Sequence, residues 1–400
     1  MSNSPTDAAT PLRVALACGG TGGHLYPGMA IGEALRDRGC DVQLLISEKE
    51  VDQRAVRGVT DLDVTTLPAV GLQSGQSLAF LRGSWRAWRV AGALFARQRP
   101  AAVVAMGGFT SMAPILAGRR VGAVTLLHEA NSIPGRANRW LARWVKEAFV
   151  YFPDTATRLR HTRVTVTGMP VRSAFQPGDA AACRQALGLK PNRPVLLVMG
   201  GSQGARGLNE AVRRALPSLT LLEPQLQFIH LTGTHDFESI RQAHAAHGQP
   251  ALVRPFLTEM DLALGAANVA CSRAGASALA EIAAMRLPAL LVPFPAAADD
   301  HQAANARAFA RSGAARVLLE AQATADKVIW QVRDLLHNDT CRESIQRGLA
   351  NWHTPDAAVR IAEAVLARLP HAHRAPSTVS PAASGKAVLG FKTVACKPPA

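Results

Sequence analysis

Two doubly wound parallel α/β sheets are what this sequence predicts, and three observations carry the prediction. Short aliphatic or β-branched runs alternate with helix-length segments along most of the 400 residues. The alternation starts twice, each time with a strand that runs into a glycine-rich turn and an amphipathic helix. A Pro/Gly-containing stretch, Phe175 to Pro194, lies between the two series. Continuous apolar strands separated by helices argue for parallel sheets covered on both faces.

The first series reads RVALAC (Arg13 to Cys18), VQLLI (Val42 to Ile46), AAVVAM (Ala101 to Met106), VTLLH (Val124 to His128) and VTVTG (Val164 to Gly168). The second reads VLLVM (Val195 to Met199), QFIHL (Gln227 to Leu231), NVACS (Asn268 to Ser272), ALLVPF (Ala289 to Phe294) and ARVLL (Ala315 to Leu319). This places a leader at 1–11, a first Rossmann-like domain at 12–172 and a second at 173–370. The tail, 371–400, is rich in Pro, Ser and Ala without helical periodicity and is expected to be disordered. MSNSPTDAAT lacks the basic patch and apolar run of a secretory signal. The most apolar window, Ala101 to Ala117, is broken by Gly107, Gly108, Thr110, Ser111 and Pro114, so no spanning helix is expected.

Lys and Arg number 44 against 29 Asp and Glu, a net charge of +15. Such a chain is drawn to anions: nucleic acid, an anionic lipid surface or phosphorylated substrates. Nucleic acid is disfavoured, because no basic and aromatic platform is legible. The six cysteines are dispersed without a C-x-x-C pair, which fits a reducing compartment.

In Gly19-Gly20-Thr21-Gly22-Gly23-His24 the glycines let backbone N–H groups approach an anion, and the following helix is expected to begin near Pro27. Leu25 stands where a dinucleotide fingerprint would have its last glycine, so a nicotinamide enzyme is disfavoured. His24 is the first candidate base. Gly107-Gly108-Phe109-Thr110-Ser111 repeats the arrangement, and His128, Glu129 and Asn131 cluster at the end of another strand, where polar side chains serve function or cap the loop. Gly200-Gly201-Ser202-Gln203-Gly204 also fits the nucleophile elbow of a serine hydrolase. That rival needs an acid and a histidine on separate loops, whereas Asp299, Asp300 and His301 are contiguous; Ser202 as a phosphate donor is simpler. Ser272 to Glu281 opens a helix suited to a diphosphate, with Glu281 able to accept two ribose hydroxyls. Asp61-Leu62-Asp63 is set aside as a metal site, for it lacks surrounding β-α features.

Leu78 to Arg99 is read as a helix with Leu81, Trp85, Trp88 and Phe95 on one stripe and Arg82, Arg86, Arg89 and Arg97 on the next. The pattern suits either a core stripe with a wet basic face or a helix lying on an anionic membrane.

Taken in order, GGTGGH at Gly19, HEANSIPGRANR from His128, PVR at Pro170, GGSQGAR at Gly200, RAGASALAE from Arg273 and DDHQAANA from Asp299 resemble one family in sequence and spacing, across residues 12–368. It is the MurG family, UDP-N-acetylglucosamine:N-acetylmuramyl-(pentapeptide) pyrophosphoryl-undecaprenol N-acetylglucosamine transferases of peptidoglycan synthesis. The resemblance implies a GT-B fold, with UDP-GlcNAc held mainly by the second domain and the undecaprenyl-pyrophosphoryl-MurNAc-pentapeptide acceptor, lipid I, by the first. Donor contacts would fall on Thr21, Gly22, Gly23, Asn131, Arg172, Ser202, Leu257, Ala276, Ser277, Ala278, Leu279, Ala280, Glu281 and Gln302, with Phe256 capping the uracil. Leu257 rests on the resemblance alone.

The reaction implied is inverting: the C4 hydroxyl of MurNAc attacks C1 of GlcNAc opposite UDP, giving a β-1,4 bond. His24 is the first choice of base, with His128 and Glu129 as competitors or orienting groups. No cofactor and no essential metal are expected. A polyprenyl acceptor favours membrane contact through Leu81, Trp85, Trp88, Arg82, Arg86 and Arg89, at the cytoplasmic face of the bacterial membrane, where cell-wall synthesis proteins are candidate partners. The alternatives are a related glycolipid glycosyltransferase and the serine hydrolase built on Ser202. The sequence departs from the family pattern at Met169, within TGMPVR, and at Phe109, where Tyr is common.

Overall fold

The computed structural model describes residues 11–20, 22–57, 60–69, 77–201 and 204–370. The first sheet has seven strands: β1 (Arg13–Ala17), β2 (Asp41–Ser47), β3 (Asp63–Leu67), β4 (Ala102–Ala105), β5 (Val124–Glu129), β6 (Glu147–Val150) and β7 (Arg163–Val166). They lie in the order β3-β2-β1-β4-β5-β6-β7, and every pairing is parallel. The helices of this half are α1 (Gly22–Arg36), α2 (Glu50–Ala55), α3 (Ser77–Arg97), α4 (Met112–Arg120) and α5 (Arg136–Leu141).

After α6 (Ala180–Ala186) the second sheet follows, with β8 (Val195–Met199), β9 (Gln227–Leu231), β10 (Ala251–Arg254), β11 (Val269–Ser272), β12 (Ala289–Leu291) and β13 (Arg316–Val317). Its order, β10-β9-β8-β11-β12-β13, repeats the first, again all parallel. Its helices are α7 (Arg206–Leu222), α8 (Phe237–Ala246), α9 (Met260–Ala266), α10 (Ala276–Ala284), α11 (His301–Arg311), α12 (Ala325–His337), α13 (Asp339–Ala350) and α14 (Ala357–Arg368). In both sheets the strand order reverses direction beside the first strand, between β1 and β4 and between β8 and β11. Such switch points open a crevice at the carboxyl ends of the strands.

The sequence reading misses β3, β6 and β10. Two are edge strands with a half-wet pattern, and β6 is four residues long and starts on Glu147. Edge position and brevity remove the continuous apolar run that marks a buried parallel strand. Asp63, set aside as a metal ligand, opens β3 and accepts from Gln43, while Asp61 pairs with Arg36.

Helix α1 starts at Gly22, not near Pro27, so Pro27 is an interior residue. Its buried face includes Pro27, Ala30, Ile31, Ala34 and Leu35, packed over β1 and β2. The last helix, α14, crosses back to the first sheet: Ile361, Ala362 and Val365 join Val14, Leu16 and Ile31 in one core cluster. Helix α14, placed in the second unit by sequence, therefore completes the core of the first. An aromatic group of Tyr151, Phe152, Phe309 and Trp352 joins the two halves, with Phe309 stacked on Trp352 at 4.4 Å.

In α3 the buried seam is Gly83, Ala87, Ala91 and Phe95, small residues that let the helix lie close to its neighbours. The stripe expected from the sequence therefore splits. Phe95 is fully buried and Trp88 partly so, while Leu81 and Trp85 are 61% and 56% exposed.

Candidate active site

The loops after β1, β4 and β5 face those after β8 and β11 across a single cavity of about 1710 Å³. Each wall is built from backbone that side chains would obstruct. A Cβ on Gly19 would lie 2.3 Å from the Ser47 amide nitrogen, and Gly20 sits at a φ of +113° that favours glycine. The turn is held from behind by Asp52, fully buried on α2, whose Oδ2 accepts from the amides of Gly20 (2.6 Å) and Ser47 (3.1 Å) and from the Ser47 hydroxyl. Thr110 donates its hydroxyl to the Gly19 carbonyl at 2.6 Å, so the two glycine loops of this half are fastened together.

His24 lines the cavity and rests on the second glycine loop. A Cβ at Gly107 would stand 2.8 Å from its Cε1, and one at Gly108 would stand 3.2 Å from its Cδ2. Burial pushes the imidazole down to about 4, partly offset by the Met106 backbone and the charge of Asp52, while His301 and Lys49 push it further down. The ring is thus neutral near pH 7, with a buried Nδ1 that has no hydrogen-bond partner among the described residues.

The other two candidate bases behave differently. His128 is 1% exposed, does not line the cavity and is pushed down to about 4 by burial and by His24. Glu129 lines the cavity but is saturated. Its Oε1 accepts from the Asn131 amide (2.8 Å) and Nδ2 (3.2 Å), and its Oε2 accepts from the Gly135 amide and Asn138 Nδ2, both at 2.9 Å. It organises the loop from Ala130 to Asn138. Burial raises its pKa against those four hydrogen bonds.

On the facing wall, Gly275 precedes α10, which projects Ala276, Ser277, Ala278 and Glu281 into the cavity. Leu279 and Ala280 point the other way, into the core, because they fall on the opposite side of a 3.6-residue turn. Burial lifts the Glu281 carboxyl to about 7, against the opposing charge of Arg172. Gln302 braces the site from α11, its Oε1 accepting from the amides of Ala274 (3.2 Å) and Phe294 (3.0 Å). Phe256, half exposed, and Leu257 line the same cavity, as do Gly22, Gly23, Asn131 and Arg172. Thr21 and Ser202 lie outside the described residues.

Asp299 accepts from Arg136 and Arg139 across the cleft, and His301 Nδ1 contacts the Ala298 carbonyl at 2.7 Å. The acid and the histidine that a serine hydrolase would need are therefore committed elsewhere.

Several residues of the site carry no sequence signal. Asp52 sits on a six-residue helix with no motif around it, and the Arg273–Glu320 ion pair, packed against Gly207 in the first turn of α7, joins residues 47 apart. Asn305 links the halves by accepting from the Ser132 amide (2.9 Å) and donating to Asn131 Oδ1 (3.1 Å), which only the folded loops reveal.

Residues 14–150 match the glycosyltransferase family 28 N-terminal domain, and residues 195–361 match the glycosyltransferase family 28 C-terminal domain. A UDP-N-acetylglucosamine--N-acetylmuramyl-(pentapeptide) pyrophosphoryl-undecaprenol N-acetylglucosamine transferase of Syntrophus aciditrophicus is 34% identical over 366 residues, covering 90% of this chain and 99% of the relative. The enzyme of that name from Xanthomonas euvesicatoria is 35% identical over 393 residues, with 97% and 88% covered. Among solved structures, Acinetobacter baumannii MurG superposes with a TM-score of 0.68 at 26% identity, covering 89% of this chain and 99% of that one. A UDP-GlcNAc 2-epimerase from Neisseria meningitidis shares the fold, with a TM-score of 0.67 at 15% identity. With its two family 28 domains on a GT-B architecture and relatives matched nearly end to end, the chain belongs to the MurG family of N-acetylglucosaminyltransferases.

Proposed function

We propose that the cleft divides the family's reaction between its two walls, with His24 as general base on the first and Glu281, Arg172 and the start of α10 holding the nucleotide sugar. The reaction itself is transfer of GlcNAc from UDP-GlcNAc to the C4 hydroxyl of MurNAc in lipid I, giving β-1,4-linked lipid II. One observation carries the assignment of roles: His24 and Glu281 open onto the same cavity from opposite halves, with His24 resting on the glycine loop at 107–108.

Inversion at C1 requires the acceptor hydroxyl and the leaving diphosphate on opposite faces of the sugar. As the new C4 oxygen to C1 bond forms, the hydroxyl proton passes to the neutral imidazole of His24 and the C1 to phosphate-oxygen bond breaks toward UDP. Burial makes His24 a weak base in the free protein, and a bound diphosphate nearby raises its proton affinity. His128, one layer behind, has no line to the acceptor, and Glu129 spends both oxygens on its loop. These two are orienting groups rather than the base. Ser277, Gln302 and the amides at the head of α10 are positioned for the diphosphate, Glu281 for the ribose and Phe256 for the uracil face. Leu279 and Ala280 support them from the core.

The exposed Leu81 and Trp85, with Arg82, Arg86 and Arg89 on the same helix, form a surface suited to an anionic bilayer, and Arg89 stacks on Trp85 at 4.9 Å. Trp88 contributes from its half-buried position. Among the described residues no helix is long and apolar enough to cross a membrane. Contact would be peripheral, on the cytoplasmic side where lipid I is made.

The direct test is transfer of radiolabelled GlcNAc to a short-chain lipid I analogue in EDTA, comparing wild type, His24→Ala and Glu281→Ala. Disaccharide formation by wild type, slowed in both variants and with Glu281→Ala acting mainly on donor KM, is the expected result. Full activity in His24→Ala would remove it as base, and dependence on added metal would remove the metal-free reading. Trp85→Ala with Leu81→Ala should weaken binding to anionic vesicles while sparing turnover of the short-chain acceptor; unchanged vesicle binding would overturn the membrane surface.

A further inference from the structure

Arg172 lines the cavity, its charge acts on Glu281, and among the described residues no carboxylate forms an ion pair with it. Its guanidinium lies over the Tyr26 ring at 5.0 Å and over the Phe175 ring at 4.9 Å. Its Nε is buried and has no hydrogen-bond partner among the described residues. The two rings come from different parts of the chain, Tyr26 from the first turns of α1 and Phe175 from the segment that leads into the second half. Tyr26 itself lines the cavity, half-buried, and a Cβ at Gly22 would touch its Cε2 at 3.3 Å. The ring is therefore fitted between the glycine turn and the arginine.

We propose that Tyr26 is a positioning residue for the donor: with Phe175 it clamps Arg172 so that the guanidinium presents its donors to an anionic group of the nucleotide sugar. A guanidinium held against two aromatic faces keeps its in-plane N–H donors free, because neither ring takes them up as a paired carboxylate would. It also loses the rotamer freedom that a free arginine would surrender on binding. Burial raises the Tyr26 hydroxyl above its ordinary value, so the phenol stays neutral and the ring acts through its face. This rests on the assignment of UDP-GlcNAc to the cavity.

The experiment pairs steady-state transfer with calorimetric titration of UDP, for wild type, Tyr26→Phe, Tyr26→Leu and Arg172→Ala. Tyr26→Phe keeps the π face and should stay within about twofold of wild type in donor KM and UDP affinity. Tyr26→Leu keeps bulk but not the face, and should raise donor KM and weaken UDP binding about three- to tenfold with kcat little changed. In an Arg172→Ala background, Tyr26→Leu should add almost nothing, because its effect passes through the arginine. Tyr26→Leu indistinguishable from wild type, a Tyr26→Phe loss as large as that of Leu, or full additivity with Arg172→Ala would each overturn the proposal. Wild type that neither binds UDP nor transfers GlcNAc would instead remove the donor assignment beneath it.

Discussion

The Ser277 hydroxyl donates to the Gly23 carbonyl at 3.2 Å, and Pro27 is the reason that carbonyl is free to accept. In an α-helix the Gly23 carbonyl would take the N–H of residue 27, which proline lacks. A proline inside α1 thus creates an acceptor at the cleft, and α10 of the opposite wall satisfies it. The same serine is one we propose for the donor diphosphate, and on that proposal substrate recognition and the contact between the walls share one side chain.

Ser277→Ala should cost about 1 kcal/mol of stability by leaving that carbonyl without its partner. Pro27→Ala restores the missing N–H. In its background the same Ser277→Ala change should cost a few tenths of a kcal/mol or less. Denaturant titration of the four proteins measures the coupling, and equal cost in both backgrounds would show that the two residues do not communicate.

Gly107→Ala should cost more activity than stability. At φ +106° the new residue pays about 1–2 kcal/mol of backbone strain. Its Cβ would also stand 2.8 Å from the His24 ring, so the imidazole must move. A displacement on the scale of an ångström at a reacting group costs on the order of a hundredfold in rate. Comparing the transfer rate with the melting temperature separates the two effects. A variant slowed only as far as its loss of folded protein explains would place His24 outside the reaction.

Much of this architecture was legible from sequence because its signals are local. Two glycine turns after two apolar strands fix two switch points, and α10 announces itself through Gly275 and Glu281. What was not legible depends on distance. Asp52 holds Gly20 from 32 residues away, Asn305 reaches Ser132 over 173, and α14 returns to the first core from the far end of the chain. The α3 stripe divides between core and surface for a physical reason. Its core seam is glycine and alanine up to Phe95, so Leu81 and Trp85, which would usually mark the buried face, point outward while Phe95 alone of its described large residues is fully buried.

Glu129→Gln tests whether this carboxylate is a base or a scaffold. All four of its hydrogen bonds are accepted, and an amide would turn two donors toward donors. The scaffold role predicts destabilisation of about 1–3 kcal/mol. It also predicts a fall in kcat without change in the shape of the pH–rate profile. Normal thermal stability with loss of the acidic limb of that profile would make Glu129 the base in place of His24.

The donor site should tighten as pH rises through neutrality. Burial holds the Glu281 carboxyl at about 7 in the folded protein against 4.5 for the free side chain, with Arg172 pulling it down. The folded chain keeps a proton that the unfolded chain has released. This group therefore takes stability away as pH climbs from 4.5 to about 7 and contributes no further change above it. Ribose hydroxyls donate to the ionised form with both oxygens available and to the protonated form with one acceptor lost. UDP-GlcNAc has no group of its own titrating near neutrality. Donor KM should accordingly fall several-fold between about pH 6 and about pH 8 in wild type. In Glu281→Gln it should be weaker and flat over the same range. A wild-type donor KM independent of pH there, or an equal slope in Glu281→Gln, would mean that the carboxyl does not hold the ribose.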